Sequence, residues 1–309
     1  MSHDHHHHSH SEIKGKRLFL TILLNAGITV AELIGGIISG SISLISDAIH
    51  NFSDVLSLII SYAANRLARR NATERQTFGY KRSEIIAAFF NSATLIVLAF
   101  YILYEAVKRF IEPVEISGNL VIWLALGSII VNALSVLFIK SDAKGNMNIK
   151  SAYLHLFGDM LTSVAVMIGG ILIKYFHVYW IDPLFSIMIA LYLLNMSWDI
   201  FKISLQIMMQ FTPPNININA IAREVEEIEG VKNLHHIHVW QINEHEIMFE
   251  AHVDLKGNIN ISSFETILHS AEQVLRKNKI NHITLQPEYS VDDKKDKIIN
   301  HLHPKAPQE

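Results

Sequence analysis

Two histidine–aspartate pairs stand out because they lie in apolar stretches, where ionisable residues are rare. His50 and Asp54 are four residues apart in SDAIHNFSDVLSLII, and His155 and Asp159 have the same spacing in SAYLHLFGDMLTSVAV. In an α-helix this spacing places both side chains on one face. Two such helices facing each other would bring together two imidazoles and two carboxylates, a donor set that suits a tetrahedral zinc ion.

The cost of burying these groups strengthens that interpretation. A carboxylate inside a bilayer costs about 2.5 to 3.5 kcal/mol on insertion scales, so a helix bundle retains it only with a compensating partner. A metal ion is one such partner, and His–Asp hydrogen bonds across the bundle are the alternative. The repetition of the pair favours the metal. Asp47 and Glu32 are predicted accessory residues that line the site or support its ligands.

The composition of the chain fits a membrane protein with nitrogen and oxygen metal ligands. The 309 residues are 50% hydrophobic and only 18% charged, and the mean hydropathy is +0.25, which is too apolar for an ordinary soluble enzyme. The 18 histidines stand against no cysteine. Disulfides, thiolate zinc sites, iron–sulfur clusters and a cysteine nucleophile are therefore excluded. With a net charge of −3, we expect no nucleic-acid partner.

Six apolar stretches must position the two pairs. Each holds about 20 residues or more, enough at about 1.5 Å per residue to cross a hydrocarbon core of about 30 Å. We therefore predict a membrane α-helical bundle of six transmembrane helices, with Asp182 and Asp199 at helix ends near the membrane surface. The stretches are Leu18–Ile38, Ile42–Arg66, Ser83–Val107, Leu120–Ile139, Ser151–Ile173 and Ile181–Lys202.

The basic residues between these stretches predict the orientation. The loops on the side of the termini, with their borders, carry 12 Lys and Arg, whereas those on the other side carry 3. Positive residues stay preferentially in the cytoplasm. We expect a multi-pass protein of the inner (plasma) membrane with both termini cytoplasmic.

The chain beyond Gln210 changes to a soluble pattern with 15 Asp and Glu against 10 Lys and Arg. The order of predicted elements is α-β-β-α-β, which fits a small sheet covered by two helices. The elements are expected around Asn219–Glu229, His235–Ile242, Ile247–Leu255, Ser263–Lys277 and His282–Tyr289.

Four segments are expected along the chain. Residues 1–16 form a His-rich cytoplasmic tail, which is either a metal-collecting segment or a purification tag. Residues 17–208 form the six-helix domain, residues 209–290 the α+β domain, and residues 291–309 a disordered tail. In HHIHVWQI, strand alternation predicts His236 and His238 on one face and His235 on the other.

These residues resemble the cation diffusion facilitators, a family of membrane metal/proton antiporters. The resemblance runs from the first apolar stretch to Glu288. It is carried by SISLISDAIHNFSDVLSLIISYAANRLARR, by ERQTFGYKRSEIIAAFFNS and by LHLFGDMLTSVAVMIGG.

The resemblance implies a transport site at His50, Asp54, His155 and Asp159. The chain is similar to those family members that have histidine at the first of these four positions and prefer zinc. The paired-aspartate motif of the manganese branch is missing here. Iron, Co²⁺ and Cd²⁺ remain open as further cargo. Because an imidazole must be neutral to bind metal, binding releases protons on one side and protonation ejects the ion on the other. The implied function is Zn²⁺ export driven by proton entry.

The resemblance also implies a cytoplasmic domain with a ferredoxin-like, metallochaperone-like fold that pairs two subunits into a homodimer. A regulatory zinc site in this domain would engage His235, His252, Gln286 and Glu288, with Glu265 as a neighbour. For any single histidine here, the alternative is a solvated or hydrogen-bonded strand residue.

Two other functions compete with transport. An intramembrane zinc hydrolase needs an open metal position and a general base, but no HExxH motif occurs and four ligands close the tetrahedron. A membrane-anchored metal sensor needs only one span and no buried ligands, so six apolar stretches with two matched polar pairs argue against it. No GxxxxGK[ST] phosphate loop is present either, so we predict a transporter that is not an enzyme.

Overall fold

The computed structural model describes residues 9–139, 147–243, 245–291 and 295–298, and within its helices the side chains of Asp54 and His155 are among those outside the described part. Most of the predicted N-terminal and C-terminal tails also lies outside it. The chain forms two compact units, one of Met1–Ala63 with Ala87–Phe201 and one of Ala64–Ile86 with Lys202–Glu309.

Long helices build the first unit, and parts of three of them extend into the second. Each contains most or all of one of the six predicted apolar stretches. In chain order they are α1 Ser9–Ser39, α2 Ile42–Ala68, α3 Ser83–Ile111, α4 Gly118–Ile139, α5 Met147–Phe176 and α6 Ile181–Met208. Asp182 does lie in the first turn of α6, but Asp199 lies inside this helix because α6 continues beyond the predicted end.

Four of these helices are long and apolar enough, within the described residues, to cross a membrane. They are α3, α4, α6 and the Phe157–Phe176 part of α5, and α1 offers a shorter apolar stretch, Leu23–Ser39. Large apolar side chains such as Phe100, Trp123 and Trp198 are more than half exposed. A large apolar surface of this kind fits contact with lipid rather than water.

Small residues let α4 pack closely on α5. A Cβ added to Gly118 would lie 2.7 Å from the carbonyl oxygen of Gly170 and 2.9 Å from the backbone nitrogen of Lys174. Only glycine fits such a backbone approach. The buried apolar core of this unit includes Ile42, Leu44, Ala99, Ile102, Val121, Ala125, Val166, Ile189, Ala190 and Leu193.

A buried carboxylate fixes the start of α2. Asp182, which is 1% exposed, accepts hydrogen bonds from the Ser41 hydroxyl at 2.5 Å, the Ile42 backbone N–H at 2.8 Å and the Ser43 hydroxyl at 2.5 Å. The first N–H groups of a helix have no partner within the helix. This carboxylate accepts from two of them, those of Ile42 and Ser43, and matches the helix dipole. The first turns of α2 and α6 are thereby joined.

The second unit contains a three-stranded sheet with two helices. Its elements are α7 Ile218–Glu226, β1 Val231–Gln241, β2 Ile247–Leu255, α8 Ile261–Lys277 and β3 His282–Glu288, which confirms the predicted order. The strand order is β1-β2-β3, with β1 antiparallel and β3 parallel to β2. Asn217 and Asn260 cap the two helices. The core includes Ile221, Val225, Leu234, Ile237, Phe249, Ala251, Leu275 and Ile280.

A β-bulge interrupts β1. His235 pairs with His252 and His238 pairs with Glu250, so three steps along β1 match two steps along β2. The extra residue, His236, has a φ of 51°. The predicted placement of His235 on the opposite face is therefore wrong, because the bulge returns His235 and His238 to the face of His252. The predicted proximity of His236 and His238 is confirmed, since their ring centroids lie 5.1 Å apart.

The connection between α2 and α3 belongs to the same unit as the sheet. The Lys81 ammonium contacts both carboxylate oxygens of Glu246, at 2.6 and 2.7 Å. The ring of Phe78 lies 6.0 Å from that of His282, edge to face. This connection is thus held at the β1–β2 turn and at the start of β3.

Candidate metal sites

The first candidate site lies where α2 meets α5. Asp47 accepts hydrogen bonds from the hydroxyls of Thr162 at 2.8 Å and Ser163 at 3.0 Å. One turn further along α2, His50 Nε2 lies 3.4 Å from the Asp159 Oδ1 atom. As the residue number rises on α2 it falls on α5, so the two helices run antiparallel here. This register brings together one member of each histidine–aspartate pair.

Both groups are withdrawn from the surface. The His50 side chain is 4% exposed and the Asp159 side chain 8% exposed. An imidazole and a carboxylate held this close can share a proton or bind one cation together. The Tyr192 ring stands 6.1 Å from the His50 ring, edge to face.

Glu32 joins this site through hydroxyl groups. Its carboxylate is fully buried and interacts with Ser128 and with Asn51, whose amide nitrogen lies 3.5 Å away. The Ser128 hydroxyl is 3.0 Å from that of Ser163, which also donates to Asp47. The two predicted accessory residues are therefore connected by a chain of buried polar groups.

A cavity of about 250 Å³ reaches His50. A water molecule takes about 30 Å³ in the liquid, so the space admits a small ion together with several waters. Its lining mixes apolar side chains with polar ones from α2, α3 and α6, which are Ser57, Asn91, Ser92 and Ser197.

For the two remaining predicted ligands of this site, the side chains lie outside the described part of the structure. Asp54 and His155 occupy helical positions on α2 and α5. The spatial convergence seen for His50 and Asp159 therefore covers half of the predicted ligand set, and the other half stays a prediction.

The second candidate site lies on the sheet of the second unit. Ligand atoms of His235, His252 and Glu288 lie within 4.8 Å of one another. His252 Nδ1 is 2.7 Å from Glu288 Oε1, and His235 Nε2 is 3.3 Å from Glu288 Oε2. The pairing of β1 with β2 and of β2 with β3 creates this convergence. Two imidazoles and one carboxylate suit zinc chemically.

The other residues predicted for this site differ in their placement. The Gln286 amide donates to Glu288 Oε1 at 3.3 Å, so it supports a carboxylate rather than joining the three converging ligands. Glu265 lies on α8 with an exposed side chain. Within the described residues, the converging donors do not include it.

Two charged residues of this cluster, Asp254 and Lys295, were not predicted from the sequence. The Lys295 ammonium donates to Asp254 Oδ1 at 2.9 Å and to Glu288 Oε2 at 3.0 Å. Asp254 follows His252 by two residues on β2, so strand alternation could have indicated their shared face. Lys295 belongs to a charged run beyond the last strand, and local sequence contains no signal for its position.

Two family patterns of known proteins together match most of the chain. The family pattern described as "Cation efflux transmembrane domain" matches residues 18–209, and "Cation efflux protein, cytoplasmic domain" matches residues 213–290.

Three characterised relatives illustrate the similarity. The "Cadmium, cobalt and zinc/H(+)-K(+) antiporter" of Bacillus subtilis is 37% identical over 290 residues, which cover 93% of this chain and 92% of the relative. The "Metal cation efflux system protein CzcD" of Cupriavidus metallidurans is 32% identical, covering 92% and 88%. The "Zinc transporter ZitB" of Escherichia coli is 32% identical, covering 93% and 92%.

Proposed function

Because the chain belongs to the cation efflux family of membrane transporters, we propose that it exports Zn²⁺ from the cytoplasm in exchange for protons. The observation that carries the proposal is the approach of His50 to Asp159 between two buried helix faces. The names of relatives, which include cadmium and cobalt, support Cd²⁺ and Co²⁺ as additional cargo.

The register of α2 and α5 supports a four-ligand transport site. Asp47 faces Thr162, and His50 faces Asp159. Continued by one more turn, the same antiparallel register sets position 54 opposite position 155. A site of His50, Asp54, His155 and Asp159 then offers two neutral imidazoles and two carboxylates, which balance the ion's charge in a medium of low polarity.

Proton exchange follows from the chemistry of these ligands. Histidine binds a metal ion only when neutral, so zinc and protons compete for His50 and His155. Protons entering from outside displace the ion outward, while the lower proton activity inside favours zinc binding. No nucleotide hydrolysis is required, and the protein acts as a transporter rather than an enzyme.

The membrane arrangement forms part of the same proposal. All six long helices span the plasma membrane with both termini cytoplasmic, and zinc, protons and lipid are the partners. The α+β region, residues 209–290, is ferredoxin-like and pairs two chains into a homodimer. Light scattering of the purified protein, corrected for detergent, measures this state directly, and a monomer would contradict it.

The cluster on the sheet is proposed as a regulatory zinc site. His235, His252 and Glu288 supply the ligands, and Gln286 orients the Glu288 carboxylate through its hydrogen bond. Asp254, on the same strand as His252, adds negative charge beside His235 at 3.9 Å. Bound zinc would link all three strands of the sheet.

Reconstitution tests the transport proposal. Purified protein in liposomes with an imposed pH gradient is expected to move Zn²⁺ against the proton flow, as reported by a zinc-sensitive dye on the receiving side. Dissipating the gradient with a proton ionophore should stop the movement. A parallel series with an imposed K⁺ gradient tests the second counter-ion that appears in the name of the Bacillus relative.

The same assay separates the competing functions. A metal sensor would show no vectorial flux, and a zinc hydrolase would cleave a lipid or peptide without moving the ion. Absence of flux in liposomes that contain correctly inserted protein would overturn the proposal.

A further inference from the structure

A lysine ammonium stands among the ligands of the candidate regulatory site. Lys295 Nζ lies 2.9 Å from Asp254 Oδ1, 3.0 Å from Glu288 Oε2 and 3.5 Å from His235 Nε2. The two carboxylate side chains are only 7% and 5% exposed. The cluster therefore already contains a cation that belongs to the chain itself.

The backbone next to Lys295 is bound at the bulge of β1. The His236 N–H donates to the Asp296 carbonyl at 3.1 Å, and the Ile237 N–H donates to the Lys297 carbonyl at 2.8 Å. These N–H groups lie at the bulge, where the pairing of β1 with β2 is interrupted. We name the segment Lys295–Ile298 the strap, because it lies across β1 at this interruption.

We propose that Lys295 is a built-in competitor of zinc, and that zinc binding to His235, His252 and Glu288 releases the strap from β1. The inference rests on the zinc site proposed above. A carboxylate oxygen engaged by an ammonium cannot serve a metal ion equally well at the same time. Two cations within a few ångströms also repel each other strongly where the surroundings exclude water.

The side chains are placed so that exchange can occur. Lys295 is 30% exposed, so its long, flexible side chain can leave for water while His235 and Glu288 stay buried. His235 and His252 are held by the pairing of β1 with β2 and remain after the ammonium departs. Loss of the Lys295 contacts removes the closest side-chain contacts of the strap. Two backbone hydrogen bonds to the bulge, the Asn233 amide at 3.5 Å and the Lys297–Glu226 contact at 4.0 Å remain.

Release of the strap would change the surface of the domain. Ile298 lines one side of a cavity of about 440 Å³ together with His238, Trp240 and Glu250. Departure of the strap opens this cavity and exposes the His236 and Ile237 N–H groups. Zinc binding to the cluster would thus expose a new surface beside β1.

A matched pair of variants tests the competition. Zinc binding to the full-length protein in detergent is measured by calorimetry, and the cluster's contribution is the part of the isotherm that His252→Ala removes. Lys295→Met keeps the length of the side chain and removes the charge. If the ammonium occupies the cluster in about nine-tenths of molecules, this variant binds zinc about tenfold more tightly. Lys297→Met, a strap lysine that lies 4.0 Å from Glu226, is expected to match the parent.

Hydrogen exchange supplies an independent readout. The His236 and Ile237 amides should be protected in the zinc-free parent, and both should exchange faster when zinc is added. In Lys295→Met they should exchange faster even without zinc.

Equal zinc affinities of the parent and Lys295→Met would overturn the competition and leave the proposed zinc site in place. If no part of the isotherm depends on His252, the zinc site itself is wrong, and the release mechanism falls with it. Transport by the parent protein in liposomes, measured separately, tests the membrane site independently of this isotherm.

Discussion

His50 on α2 and Asp159 on α5 meet with 3.4 Å between imidazole and carboxylate, although a large part of the chain separates them. Helix register rather than a loop creates this approach, since Asp47 and Thr162 are joined one turn away. A site built in this way responds to any shift of one helix along the other.

Removing the Asp159 carboxylate should abolish zinc transport. The charge that stabilises the ion in the membrane is lost, and the apparent affinity should fall by at least about a hundredfold, because even residues that only support metal ligands account for about 10- to 100-fold. Initial rates in liposomes over a range of zinc concentrations measure this for Asp159→Ala. Asp199→Ala, which removes an exposed carboxylate on α6, is the control. Transport by Asp159→Ala at the parent rate would show that the site is assigned wrongly.

Exchanging His50 for aspartate should broaden the cargo. A carboxylate can coordinate through one or two oxygens, so it relaxes the four-coordinate geometry that suits zinc and admits the larger Cd²⁺ ion. The ratio of Cd²⁺ to Zn²⁺ transport by His50→Asp is expected to rise severalfold above that of the parent. Competition between the two ions in the liposome assay measures the ratio, and an unchanged value would remove His50 from the residues that set selectivity.

Neutralising Asp47 should weaken zinc binding without abolishing turnover. In Asp47→Asn the hydroxyls of Thr162 and Ser163 lose a charged acceptor, so the register of α2 against α5 is held less firmly. We expect the zinc concentration for half-maximal rate to rise about tenfold, with a much smaller change in maximal rate. Thr162→Val should reproduce part of this effect. A selective fall in maximal rate would instead indicate a direct part in proton transfer.

Deleting the Asp182 carboxylate should destabilise the first unit. Donors at the start of α2, the Ile42 and Ser43 N–H groups among them, would lose their buried acceptor, at a cost of roughly 2 to 3 kcal/mol. Thermal unfolding in detergent, followed by tryptophan fluorescence, should show a lower midpoint for Asp182→Ala and an intermediate one for Asp182→Asn. The exposed Asp199→Ala change on the same helix should leave the midpoint alone. Equal midpoints for all three variants would contradict the capping role.

The sequence predicts most of the regular structure because each element has its own local signal. Apolar length marks α3, α4 and α6, and alternation with turn residues marks β2. The bulge at His236 could not be predicted in this way, since its left-handed conformation depends on pairing with β2 and on the strap.

The candidate sites were predictable to different degrees. Spacing alone places His50 and Asp54 on one face, but it does not say which residue of α5 faces His50. Asp182 reads as a helix-end residue from its position before Pro183, whereas its partners on α2 lie far away in sequence. Lys295 acquires its role only through tertiary contacts with Asp254 and Glu288, and no periodicity reports on these.

The junction of Asp182 with Ser41, Ile42 and Ser43 also limits how the bundle can move. These hydrogen bonds are short and buried, so sliding of α2 along α6 would break several of them at once. Tilting about the junction preserves them. The two helices therefore share a pivot at this end, so any tilt of α2 about it would displace the far end of the helix more than His50.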